Sequence, residues 1–246
     1  MADFFIGVPN ELVLFGPLHL CLSGGFAVLY VLIFVFRKRI TEFGHFKAVR
    51  ITMATVLLLN MAVHYISKIL LGVWSFEVDL PLHLCFIANF FMIYILYTDD
   101  KYGLYRIVYF FTFIGPLPAM IWPDLRCSYD SYIFYQFIIS HHIMLLCSLY
   151  CLCVLKYHTS VKYSIPTFII GNVVVGSVML FNMHFGTNYI MMNELPPQLY
   201  EIYPFLDMFP PLVWLELVGI LAILGSCIPM LVLKKLDAKN DTLKER

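Results

Sequence analysis

Eight histidines and seven cysteines are spread over 246 residues, and some fall where they could do acyl chemistry. The pentapeptide PLHLC occurs twice, at 17–21 and 81–85, so each copy places an imidazole two residues before a thiol. His64 and Lys68 are four apart and share a helical face, with Asn60 on the same stripe. His141 and His142 form a doublet after Ser140, and GTNY at 186–189 brings Asn188 and Tyr189. A thiol becomes nucleophilic when a histidine or another cation lowers its pKa. Cys85 beside His141, His142 or His64, with Lys68 as a further cation, would meet that need. Backbone N–H groups at the start of the Cys85 helix, or Asn188, could then hold an acyl-transfer oxyanion. A covalent S-acyl intermediate would split the transfer into two steps. A His/Cys cluster could also hold zinc, but HExxH and paired CxxC motifs are absent, so neither metal nor cofactor is expected.

The elements that position these groups are membrane helices. Hydrophobic residues make up 61% of the chain and charged ones 13%, with mean hydropathy +0.83, which excludes an ordinary soluble domain. At about 20 apolar residues per crossing, the chain offers about seven spans. They lie near 14–36, 50–72, 81–98, 104–122, 133–155, 163–184 and 208–233. The expected fold is an all-α polytopic bundle forming a single domain over 1–246. The opening MADFFIGVPNE has no basic n-region, so no cleaved signal is expected. Sixteen basic and sixteen acidic residues balance. With no phosphate loop and no long basic tract, nucleic acid is not an expected partner.

Basic residues fix the expected orientation. Arg37, Lys38, Arg39, Lys47 and Arg50 fill the first connection, Lys101 and Arg106 the third, and Lys156 and Lys162 the fifth. Lys234, Lys235, Lys239, Lys244 and Arg246 crowd the tail, whereas the even connections carry Arg126 and seven acids, among them Glu77 and Asp79. The positive-inside rule then puts the N-terminus outside and the C-terminus in the cytoplasm. With a rise of 1.5 Å per residue, His19, Lys68, Cys85, His141 and Glu216 fall roughly 6–14 Å below the outer boundary. Ionisable groups at that depth should face the bundle interior or a wet cavity. The expectation is one pocket, open to the outer leaflet, lined by His19, His64, Lys68, His83, Asn188, Tyr189 and Glu216. Two breaks support it. GPLPAMIWPD at 115–124 interrupts span four through Pro116 and Pro118. LPPQLYEIYPFLDMFPP at 195–211 suits a lid over the cavity, with an interfacial aromatic belt as the alternative.

Each group also has a plainer reading. An intramembrane histidine is more often an interhelical tie than a catalyst, and a membrane cysteine more often packs. Lys68 could snorkel to the interface, and Glu216 could pair with Lys68 or a histidine. The same polar layer would also suit a transporter or channel site, or a lipid hydrolase in which water replaces the acyl acceptor.

LPLHLC at 80–85, the GPLPAMIWPD break, FIISHH at 137–142 and GTNY followed by paired prolines resemble, in order, the YwaF-type integral membrane proteins. That family includes the eukaryotic transmembrane protein 164. The resemblance implies a cysteine-dependent acyltransferase acting on membrane phospholipids. It implies Cys85 as nucleophile and His141 as its histidine, with His142 a rival, and it assigns nothing to Cys21. The chain's length suits a bacterial plasma-membrane member.

Overall fold

The computed structural model describes residues 4–5, 12–125, 127 and 129–244, of which 239–244 are described as backbone only. Arg126 and Arg246, used above for orientation, lie outside the described residues, as does most of MADFFIGVPNE.

The described residues form helices and no strand. In chain order they are α1 (Pro17–Glu42), α2 (Phe46–Leu70), α3 (Leu84–Thr98), α4 (Tyr105–Ile114) and α5 (Pro116–Ile121). Then come α6 (Tyr132–Ile138), a π turn (Ile139–Ile143), α7 (Met144–Cys153), α8 (Ser164–Phe185), α9 (Pro197–Ile202) and α10 (Pro211–Lys244). Five stretches are long and apolar enough to cross a membrane: α1, α2, α6–α7, Val161–Phe185 and Pro211–Ala238. α3 and α4–α5 are apolar but shorter. At 1.5 Å per residue α3 is about 22 Å long, less than the hydrocarbon thickness of about 30 Å. The short elements are the core. Ala88, Met92, Ile95 and Leu96 of α3 and Tyr105, Tyr109 and Phe110 of α4 are fully buried. Protein covers these residues, while Phe90, Phe91, Tyr94 and Tyr97 leave the other face of α3 exposed. The result is an integral, multi-pass helical protein.

The span-four break falls at one residue. α4 ends at Ile114, Gly115 intervenes and Pro116 opens α5. Proline has no N–H to continue the α4 ladder but suits a first helical turn.

Arginine and lysine at the end expected to face the cytoplasm are gathered by two aspartates. Asp99 receives Arg50 at 3.7 Å, Lys101 at 3.5 Å and the Tyr157 hydroxyl. Asp237 receives Arg37 at 3.1 Å and Lys156 at 3.6 Å. These contacts clamp α1 and α2 to the ends of α10 and α3. Higher in the core, the Tyr105 hydroxyl donates to Ser148 O at 2.7 Å and the Tyr109 hydroxyl to Ser226 O at 2.8 Å. Both phenols are satisfied ties between helices.

Candidate functional site

The two PLHLC copies share letters but not backbone. In the first, Pro17 opens α1 and the rest follows as helix. In the second, Pro81 and Leu82 lie in a turn, His83 is extended (φ −69°, ψ 142°) and α3 begins only at Leu84. Span three therefore starts three residues later than the sequence suggests. Tethers hold the second copy out of helix: Leu80 N–H donates to the Tyr189 hydroxyl at 2.9 Å, and Leu82 N–H to Leu80 O at 2.7 Å. Just upstream, Asp79 is 5% exposed, ion-paired with Lys68, and accepts Ser75 N–H at 2.8 Å. Lys68 is thus held by a carboxylate of the adjoining loop, neither snorkelling freely nor paired with Glu216. As a result Cys21 lies on an exposed helix face, while Cys85 is half-buried in the first turn of α3.

Cys85 is set against backbone. A methyl on Gly115 would lie 2.8 Å from Cys85 N, 3.1 Å from Leu84 C and 3.2 Å from Cys85 Cα. Only glycine lets the α4–α5 break approach that closely. On the α2 side, Tyr65 and Cys85 are electrostatic neighbours, and Asp79 and Tyr189 also act on Tyr65. The Tyr65 hydroxyl is buried and has no hydrogen-bond partner. Asn89, one turn along α3 from Cys85, is 2% exposed and its Oδ1 likewise lacks a partner. His64 packs among Tyr65 and Phe86, with ring centroids 5.3 and 6.0 Å away, and is an electrostatic neighbour of Lys68 and Asp79. His83 touches the Tyr189 ring edge-on at 5.4 Å and accepts weakly from Ile190 N–H at 3.4 Å.

The π turn separates the histidine doublet. His141 Nδ1–H donates to Phe137 O at 2.8 Å, and Ser140 Oγ lies 2.9 Å from the same nitrogen. That bond leaves Nε2 as the basic nitrogen of His141. His83 is an electrostatic neighbour of His141. His142 faces α1 instead: the Tyr30 hydroxyl is 2.9 Å from its Nδ1, and its ring stacks on Phe26 at 4.1 Å.

The expected single pocket is therefore two sites. His19 and His142 line a cavity with Tyr30 and Met120, and Cys85 is not among its walls. Between them runs the α4–α5 segment, with Gly115 against Cys85 and Phe113, Leu117 and Met120 facing the cavity. His19 is fully engaged: Nε2 donates to Met120 O at 2.8 Å and Nδ1 accepts Phe15 N–H at 3.0 Å. It is a tie between α1 and α5. Asn60 is another tie, donating to Gln136 O at 3.1 Å.

The expected oxyanion role of Asn188 is corrected. The residue is exposed; its amide donates to Glu194 O at 2.8 Å and accepts Asn193 N–H at 2.9 Å. It closes its own loop. Tyr189 is 1% exposed and pins that loop to the second PLHLC, its hydroxyl donating to Phe76 O at 2.6 Å. Burial pushes the Tyr189 phenol above its usual range, the bond from Leu80 N–H partly offsets this, and Asp79 and Glu77 add to it. Glu216 is half-buried and makes no ion pair or hydrogen bond among the described residues. The long connection divides: Met192 and Leu195 are buried, whereas Phe205, Met208 and Phe209 are exposed.

Sequence reasoning missed Tyr65 and gave no site role to Asp79, Gly115 or Asn182. Asn182 is 1% exposed and holds both the N–H and the carbonyl of Tyr189, at 3.0 and 2.8 Å, as well as Thr187 Oγ at 2.7 Å. Tyr65 was hidden by the stripe argument, which follows His64 to Lys68 and passes over the residue beside it.

The TMEM164 family model matches residues 14–230, as the LPLHLC and GTNY elements lead one to expect. No curated protein and no solved structure matches the chain.

Proposed function

Because the chain belongs to the TMEM164 family, we propose that it is a membrane-embedded phospholipid acyltransferase, with Cys85 as nucleophile and His141 as base. The observation that carries this reading is the orphaned Tyr65 hydroxyl beside Cys85, buried without a partner. A buried hydroxyl with no acceptor costs about 1–3 kcal/mol, a cost that a bound substrate carbonyl would remove.

The chemistry follows from the groups in place. His141, held through Nδ1 by Phe137 O, takes the Cys85 thiol proton on Nε2. The sulfur attacks the ester carbonyl carbon, and the Tyr65 O–H donates to the oxygen that becomes negative. Collapse breaks the ester C–O bond. The departing lysophospholipid alkoxide takes the proton from the imidazolium, leaving an S-acyl cysteine and neutral His141. An acceptor lipid's hydroxyl then loses its proton to His141, attacks the thioester, and the thiolate is reprotonated. His83, an electrostatic neighbour of His141, serves as a second relay for the proton. We assign the base to His141 over His142, whose ring contacts Tyr30 and lines the α1 cavity. The site opens to the non-cytoplasmic leaflet of a bacterial plasma membrane, and its partners are the phospholipids of that leaflet.

The test is intact-mass analysis after incubation with an activated acyl-lipid. A hydroxylamine-sensitive adduct is expected on the wild-type protein and on Cys21→Ala, and none on Cys85→Ala. Adduct or transfer retained in an inserted Cys85→Ala protein would remove the nucleophile from the scheme.

A further inference from the structure

The cavity on the other side of α4–α5 encloses about 620 Å³, within the range of small-ligand pockets. Leu20, Ser23, Ala27, Val31 and Phe34 line it from α1, a stripe of three- and four-residue steps covering about 21 Å of helix. Ile228 and Val232 of α10 face them. Leu20, Val31 and Ile228 are 55%, 60% and 61% exposed. The cavity is therefore open sideways, between two membrane-spanning helices, to the bilayer.

Its walls are apolar apart from His19, Ser23, Tyr30 and His142. Ser23 Oγ is buried and has no hydrogen-bond partner. The Tyr30 hydroxyl lies 2.9 Å from His142 Nδ1, and Nε2 of that ring makes no bond among the described residues. Ser23 Oγ–H can donate, and so can His142 Nε2–H in the tautomer whose Nδ1 accepts from Tyr30. His19 offers them no acceptor, because it is already bonded at both nitrogens. Two donors above a long apolar slot call for a chain that carries a carbonyl oxygen near one end.

We propose that this cavity is a second lipid seat, which holds one ester-linked acyl chain of a membrane glycerolipid. Ser23 Oγ–H and His142 Nε2–H bond the ester carbonyl, and the methylenes run along Ala27, Val31 and Phe34. The seat is separate from the thiol, so its occupant is held and not cleaved. The inference stands whether or not Cys85 transfers acyl groups.

The experiment uses the full chain in phosphatidylcholine nanodiscs doped with a phosphatidylcholine carrying a diazirine at one ester-linked chain terminus. After irradiation, label is expected on peptides containing 27–34 and 228–232. Ala27→Trp, which fills the slot, should lower it at least ten-fold, and Cys85→Ala should leave it unchanged. Each donor bond is worth roughly a factor of five, so an ether-linked probe should label at least five-fold less, and Ser23→Ala should narrow that gap. Ser23→Ala removes only an unpartnered hydroxyl, so it carries the test should Ala27→Trp fail to fold. Label spread evenly over lipid-facing helices, or undiminished in folded Ala27→Trp, would overturn the seat. Equal labelling by the ether probe, or equal displacement by free fatty acid, would overturn recognition of the ester.

Discussion

Replacing Gly115 by alanine tests the Cys85 arrangement at its tightest point. The added methyl would meet Cys85 N at 2.8 Å, Leu84 C at 3.1 Å and Cys85 Cα at 3.2 Å. A relaxed carbon contact lies at roughly 3.5–4.0 Å, so the break and the start of α3 must part by about 0.7 Å. All three atoms are backbone, and no side chain can swing aside to absorb the shift. Overpacking of this kind costs about 1–3 kcal/mol. A displacement near 1 Å at a reacting group costs on the order of 10²-fold in rate. Gly115→Ala should therefore lower the melting temperature and cut acyl transfer by roughly 10- to 100-fold. Gly171→Ala is the matched control: it lies in α8, and its new methyl meets nothing within 4 Å. It should leave transfer unchanged and stability equal or about 0.5–1 kcal/mol higher. Rates from a lipid acyl-transfer assay, read beside thermal unfolding in the same detergent, decide the matter. Wild-type values of both for Gly115→Ala would refute the reasoning.

Tyr65→Phe removes a hydroxyl that bonds nothing, so the melting temperature should hold or rise while transfer falls about 10²-fold; unaltered transfer would strip Tyr65 of its oxyanion role. His141→Ala should cost about 10²–10⁴-fold in transfer rate, whereas His142→Ala should stay within a few fold; the reverse order would return the base to His142. Asn182→Ala deletes three buried hydrogen bonds around Tyr189 and should destabilise by about 2–4 kcal/mol, read as loss of thermal stability with the 186–195 loop newly open to protease. An unchanged digestion pattern would show that the loop is held elsewhere.

The helical membrane class was plain from apolar run lengths, because a bilayer imposes a length that composition alone can meet. Run length also misled. α3 and α4–α5 are shorter than a full crossing, so a lipid-derived ruler overestimates them. Cys85, His83 and His141 could be picked out as reactive residue types in one layer, yet layer depth says nothing about azimuth. His19 and Cys85 share a motif and a depth, but one looks into the α1–α10 cavity and the other toward α2. Asn188 matched a donor's chemistry, but its backbone loop already satisfies the amide. Tyr65 and Gly115 carried no recognisable spacing. Their importance is a matter of what they nearly touch across the bundle, and a single sequence cannot display such contacts.

The π turn at Ile139–Ile143 gives residue count a meaning that side-chain identity lacks. A π turn holds one residue more than the α-helical turn it replaces, so dropping one residue here would restore a regular helix and leave α6 and α7 in nearly the same relative orientation. The placement of the two imidazoles within the turn would change, and the packing of the flanking helices would not. A mutant that lost a single codon inside this turn would keep both flanking helices in place and still disturb the seating of the two rings.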